Sequence, residues 1–222
     1  MRAAADEYEL HYQDETHLET NPYLTRLWHR IGVQPTLPAA GTNRRLTCFG
    51  SVEAFGRGRV EVLCAQQDSA GFLRYLEALE VRFLTTGRKI ILVLDNGPCH
   101  RSAASQAALA AQAAWLAVLW LAPYCPNLNR KEREWRTLKR DVRGHLARTL
   151  RAFVDVILTG LTHLGGDRCD VIDAVPQWFL DGHRRPPTGR PPGRPKGAKD
   201  SYKRSVTRTT RTTNLTNLAA RT

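Results

Sequence analysis

Lys89 to Arg140 reads KIILVLDNGPCHRSAASQAALAAQAAWLAVLWLAPYCPNLNRKEREWRTLKR. Ile90 to Leu94 is an unbroken run of five apolar residues, the pattern of a strand covered on both faces in a parallel sheet. It stops at Asp95, followed at once by the turn-forming Asn96-Gly97-Pro98. A carboxylate at the carboxyl end of such a strand lies where open α/β sheets carry their chemistry. Ala117 to Leu121 predicts a second apolar strand, ended by Pro123-Tyr124-Cys125-Pro126, and a helix begins near Asn129 with Glu132 in its first turn. Asp95 and Glu132 are therefore expected to converge at one edge of the sheet. Two hard oxygen ligands among cations suit a magnesium site acting on phosphate esters.

The order Asp95-Asn96-Gly97-Pro98-Cys99-His100, then Pro123-Tyr124-Cys125-Pro126-Asn127-Leu128-Asn129-Arg130-Lys131-Glu132-Arg133-Glu134-Trp135, resembles the catalytic core of the DDE transposases of the mariner superfamily, in particular their bacterial insertion-sequence branch. Tyr12-Gln13-Asp14-Glu15-Thr16 resembles that family's first acidic strand, so the likeness spans roughly Tyr8 to Leu150. Three positions depart from the pattern: Gly97 for the usual Ala, Cys125 for Ser and Arg130 for Pro. Losing Pro removes a pre-set first helical residue but no candidate ligand. The resemblance implies Asp14, Asp95 and Glu132 as catalytic, metal-binding residues. It implies two Mg²⁺ or Mn²⁺ ions about 4 Å apart, bridged by Asp14 and each completed by Asp95 or Glu132. Its partners would be DNA, as element ends and target, bound by a homodimer.

Each residue also has a plainer reading. Asp14 and Glu15 could be ordinary polar residues at a strand end, and Asp95 could only cap its turn. Asn129 and Glu132 have the spacing of a capping box, and Glu134 competes as a ligand. His100 could touch phosphate or a ligand carboxylate, or hydrogen-bond a loop, and Asn96 is similar. Arg130, Lys131, Arg136, Lys139 and Arg140 could line a DNA channel or form a solvated face with pairs such as Glu132 with Arg136.

The chain has 222 residues, 42% of them hydrophobic, and a net charge of +12. That length allows one sizeable α/β domain and an appendage. His183 to Thr222 hold eleven Lys/Arg against one acid, Asp200, so the basic character belongs mostly to the tail. Such a tail is either a nucleic-acid contact or a solvated, disordered end. Five widely spaced cysteines without a C-x-x-C pair argue against a disulfide framework or zinc site and for a reducing compartment. There is no signal-like start and no apolar run of bilayer length. The expectation is a bacterial cytoplasmic, nucleoid-associated protein with no membrane contact.

Along the chain, Tyr8 to Gln13 predicts a strand leading into Asp14. Arg45 to Phe55 and Arg59 to Ala65 predict a hairpin, with Gly56-Arg57-Gly58 supplying positions tolerant of positive φ. Asp68 or Ser69 caps a helix carrying Phe72, Leu76, Leu79 and Phe83 on one stripe. Ser102 opens an Ala-rich helix to about Ala114, one helix is expected from Arg130 to Arg151, and another from about Ala152 to His163. Val171 to Leu180 is a short apolar stretch expected to cover the sheet edge. The order matches a ribonuclease H-like α/β fold: a mixed sheet, three antiparallel strands then parallel ones, flanked by helices. The domain boundary is expected after Gly182, followed by a disordered basic tail over 183–222.

Only thirteen residues precede Asp14, which leaves no room for the family's helix-turn-helix modules. A separately encoded helix-turn-helix portion is one expectation. In the tail, two Gly-Arg-Pro units, at Gly189-Arg190-Pro191 and Gly193-Arg194-Pro195 with Lys196, resemble an AT-hook core suited to a narrow minor groove. The leading expectation is a transposase catalytic domain that hydrolyses phosphodiesters at element ends and transfers strands. The alternatives are a catalytically inactive or accessory DNA-binding fragment, and a structure-selective nuclease on the same fold.

Overall fold

The computed structural model describes residues 7–21, 28, 30–32, 36, 43–122, 129–143, 145, 147–166 and 172–182. Its centre is a six-stranded sheet in the order β5-β4-β1-β2-β3-β6. Strands β1 (Tyr8–Glu19), β2 (Arg45–Glu53) and β3 (Arg59–Cys64) pair antiparallel. The sheet then grows in parallel through β4 (Lys89–Leu94) and β5 (Leu116–Trp120). A two-residue β6 (Ile172–Asp173) pairs parallel with β3, so the stretch expected to cover the sheet edge extends it.

Helices cover both faces. Helix α1 (Ser69–Thr86) starts at Asp68, whose carboxylate accepts from the Gly71 amide at 2.9 Å, and stops at Gly87 in the left-handed region. The single turn α2 (Pro98–Arg101) and α3 (Ala103–Ala111) follow β4, with Ser102 capping α3 through the Ser105 amide. Phe72, Leu76 and Leu79 of α1 pack with Phe49, Val62, Ile90, Leu92 and Leu94 of the sheet and Leu109 of α3. On the opposite face α4 (Lys131–Val142) and α5 (Leu150–His163) set Trp135, Leu138, Phe153 and Ile157 against Leu18, Leu46, Cys48 and Leu63. A last turn, α6 (Gln177–Leu180), places Phe179 against that second cluster.

Several expectations need correction. Strand β1 does not lead into Asp14 but carries it mid-strand. The strand runs on to Glu19 because β2 keeps pairing with it, Asp14 opposite Gly50 and Glu19 opposite Arg45. The single helix expected to Arg151 is two: backbone at Arg143 is extended, and Thr149 opens α5 by accepting from the Ala152 amide at 3.1 Å. The Ala-rich helix ends at Ala111 rather than Ala114. Gly56 and Gly58 in the hairpin do not use positive φ. A side chain at Gly56 would collide with the Glu53 carboxylate, and one at Gly58 with the Arg82 guanidinium.

Candidate active site

Asp14 and Asp95 come together through strand register. In the parallel pairing of β1 with β4, Tyr12 stands opposite Val93. Asp14 and Asp95 each lie two residues further on, level with one another just where β4 ends and β1 continues. Paired residues of a ladder point to the same face. That face is the one α4 covers, because a Cβ built on Gly50, the partner of Asp14 in β2, would meet Trp135 and Lys131. Glu132 is the second residue of α4 and is a little under half exposed. Asn129 ties the start of that helix to the strand, donating to the Gln13 carbonyl at 2.7 Å and accepting from the Lys131 amide at 3.0 Å. The capping box, the plainer reading of Asn129 and Glu132, does not form, since Arg130 and not Asn129 is the N-cap. No side chain caps α4, and Glu132 is left to the site, with Arg136 3.8 Å away.

The electrostatics register this crowding. Burial, together with the charges of Glu15, Glu132 and Asp95, pushes the Asp14 carboxyl up to about 7. A carboxyl raised by burial first and by like charges second is one whose ionised form a cation would stabilise. Three carboxylates on one face are also the donor set that hard divalent ions require. The residues present therefore fit such a metal. Among the described residues, the group of candidate ligands whose donor atoms all lie within 4.8 Å of one another is a different one: Glu15, Cys99 and His100. Asp14, Asp95 and Glu132 do not form a group of that spacing.

Glu15 and His100 support Asp95 from the other side of the sheet. Strand alternation turns Glu15 away from Asp14. The His100 ring is wholly buried, edge-on to Phe72 with centroids 4.5 Å apart. Its Nε2 lies 2.9 Å from Glu15 Oε1 and 3.3 Å from Asp95 Oδ1, both off the line of a straight hydrogen bond. Burial works against a charge on His100, but the close approach of Asp95, Cys99 and Glu15 outweighs it and raises the ring's pKa to about 11. In return, His100 above all holds Asp95 below the usual carboxylate range, burial opposing it and the Gly97 amide helping from 2.8 Å. Sequence reading missed Glu15 as a partner and Cys99 altogether. The available signal was Glu15 following Asp14, since adjacent strand residues serve opposite faces.

The expected DNA contacts fare unequally. Lys131 is wholly buried and paired with Glu61 and Glu134, so it cannot meet phosphate, a correction forced by its position over the sheet. Asn96 donates to the Leu121 carbonyl at 2.9 Å and accepts from Arg101, tying β4 to β5. Arg101 also lies over the Trp120 ring, 3.6 Å from its centroid. Arg130 is exposed but donates to the Ala54 carbonyl. Arg136 and Arg140 are mostly solvent-facing, and Lys139 is half-buried. Arg190, Arg194, Lys196 and the whole of 183–222, like Pro123 to Leu128, lie outside the described residues. No described helix is long and apolar enough to cross a membrane.

Comparison with known proteins follows this geometry. The chain is similar in shape to Mos1 transposase in its paired-end complex with the left transposon end (TM-score 0.50, 16% identity, covering 72% of this chain and 52% of that one). It is also similar to the Mos1 mariner paired-end complex with Mn (TM-score 0.49, 15% identity, 70% and 52%). The chain spans about half the length of these solved chains. At such identities shared shape speaks for the ribonuclease H-like fold and not for a reaction. No curated protein matches the sequence. A family model described as DDE superfamily endonuclease does match, over residues 9–154, a span that runs from the second residue of β1 past the first turn of α5 and holds Asp14, Asp95 and Glu132: the chain belongs to the DDE superfamily endonuclease family.

Proposed function

We propose that the chain is the catalytic part of a DNA transposase of the mariner type, from the bacterial insertion-sequence branch, with Asp14, Asp95 and Glu132 as its metal-binding and catalytic residues. One observation carries the reading: strand register sets Asp14 level with Asp95 on the face that α4 covers, and Glu132 stands in the first turn of that helix. When bound, two Mg²⁺ or Mn²⁺ ions would supply activation of the attacking oxygen and neutralise charge on the departing one. Asp14, Asp95 and Glu132 would together hold those ions. His100, 3.3 Å from Asp95 Oδ1, favours the charged form of that carboxylate. The solvent-facing cations of α4, Arg136 and Arg140, lie along the same helix as Glu132 and would neutralise phosphates of the DNA.

The substrate is DNA, as element ends and then target. Water attack on phosphorus breaks the bond to the 3′-oxygen, which leaves as a 3′-hydroxyl. That hydroxyl then attacks the phosphorus of a target phosphodiester, forming a new bond to it and releasing the target strand's own 3′-oxygen as a hydroxyl. A homodimer holding two ends, together with a separately encoded helix-turn-helix portion, belongs to the same reading. Nicking of supercoiled plasmid DNA in Mn²⁺ tests it. Asp95→Ala and Glu132→Gln should each abolish the nicking while leaving circular dichroism unchanged; nicking that survives both would show the assignment to be wrong. The second reading, an inactive fragment that binds DNA through its basic tail, draws on eleven Lys/Arg in residues 183–222. It predicts no nicking by the unaltered chain and loss of DNA binding when 183–222 is removed.

A further inference from the structure

Lys131 immediately precedes Glu132, yet it points the other way, into the protein, where it is wholly buried. Its aliphatic stem lies over Gly50, where an added Cβ would come within 2.8 Å of Lys131 Cε and 2.6 Å of Trp135 Cη2. Gly50 stands between Asp14 on β1 and Glu61 on β3 in one row across the sheet. Lys131 therefore spans the gap between the strand of Asp14 and a buried anion two strands away. Its Nζ pairs with Glu61, lies 2.8 Å from Glu134 Oε2, and sits 4.5 Å from the centroid of Trp135.

Arg59 closes the arrangement. Its guanidinium, 6% exposed, meets Glu61 at 2.9 Å and Glu134 at 3.0 Å, and also donates to the carbonyls of Leu164 and Gly165 just past α5. Two cations and two carboxylates thus balance in charge. They join β3, the first turn of α4 and the end of α5. Buried ion pairs are poor sources of net stability, and their retention points to fixing a geometry. Here the geometry fixed is the first turn of the helix that bears Glu132.

We propose that Lys131, with Glu61, Arg59 and Glu134, is a positioning device that holds Glu132 in register with Asp14 and Asp95. This rests on the reading of those three as a shared metal site. Groups that hydrogen-bond a metal's ligands typically change its affinity by about 10- to 100-fold when removed, and Lys131 acts one step further out, through the helix turn that carries Glu132, so the low end of that range applies. The double substitution Lys131→Met with Glu61→Gln removes one charge of each sign, so the long-range field on the metal site is preserved while the strut is lost. Titration calorimetry with Mn²⁺ on the full chain is the readout. The doubly substituted chain should melt cooperatively yet need about tenfold more Mn²⁺ for half-saturation, and excess Mn²⁺ should restore plasmid nicking. Should that variant not fold, Lys131→Leu with Glu61→Leu, an apolar pair, serves the same comparison. Glu77→Gln, an exposed carboxylate on α1, is the control and should bind as the unaltered chain does. A folded variant that binds Mn²⁺ as tightly as the unaltered chain overturns the role of Lys131 alone. An unaltered chain with no saturable Mn²⁺ binding overturns the metal-site reading itself.

Discussion

His100 shows how much one buried ring can carry. It lies between Glu15 and Asp95, and removing it leaves the Glu15 carboxylate buried without that cation. His100→Ala should weaken Mn²⁺ binding about tenfold by calorimetry, because support of a ligand carboxylate is lost. Unchanged affinity would reduce the contact to packing. A second buried cluster lies at the opposite end of β1. Glu9, wholly buried, meets His11 at 2.8 Å, Arg82 at 2.8 Å and Arg88 at 3.1 Å. Burial would raise its pKa, but His11 and Arg82 outweigh burial and lower it to about 2. A depressed carboxyl contributes stability that is fully present above its unfolded value of 4.5 and is lost as pH falls through about 2. Urea unfolding at pH 5, 4 and 3 should show this loss, at most about 3 kcal/mol in total. Glu9→Gln should flatten that acid limb.

At the scale of elements, the helix starts and the close approach of α4 to the sheet are the points most open to test. Thr149→Ala removes the side-chain acceptor that opens α5 and should cost about 1 kcal/mol in urea unfolding. A Gly50→Ala chain should lose about 1–3 kcal/mol, since its new methyl would stand against Trp135 and Lys131, which must shift. Because those two residues belong to the helix of Glu132, Mn²⁺ binding should weaken in the same variant. Stability loss with unchanged metal binding would separate the packing of α4 from its duty at the site. Such elements differed in how legible they were. The β4 run ending at Asp95 and the Asp68 start of α1 could be read directly, since period and cap are local properties. The break between α4 and α5 was passed over, because in the sequence Trp135, Leu138, Val142 and Leu146 keep a helical spacing almost up to the second start at Thr149. Glycines 56 and 58 were assigned to a turn for the wrong reason: the space is taken by Glu53 and Arg82, side chains remote in cause if near in the fold.

At the scale of the molecule, charge is divided between a nearly neutral stretch, residues 1–182, and a basic tail, residues 183–222. Removing 183–222 should weaken DNA binding and make its dependence on salt shallower, because each phosphate neutralised adds about 0.9 to the slope of log affinity against log salt. Mn²⁺ binding should be unaffected. A salt slope equal to that of the full chain would place the DNA contacts on the folded portion, where Arg136 and Arg140 are exposed. What the sequence determined by itself was the succession of strands β1 to β5, the start of α1 and the charge of the tail, all properties of local order along the chain, while the three carboxylates were singled out by the family resemblance. Only the tertiary structure decided which side of each strand faces which helix. It brought Glu15 and His100 behind Asp95, and it buried Lys131, a residue whose charge alone had marked it for the surface. Burial is a property of neighbours supplied from far along the chain: Glu61 and Arg59 arrive beside Lys131 through the pairing of β2 with β3, a register that local spacing does not contain.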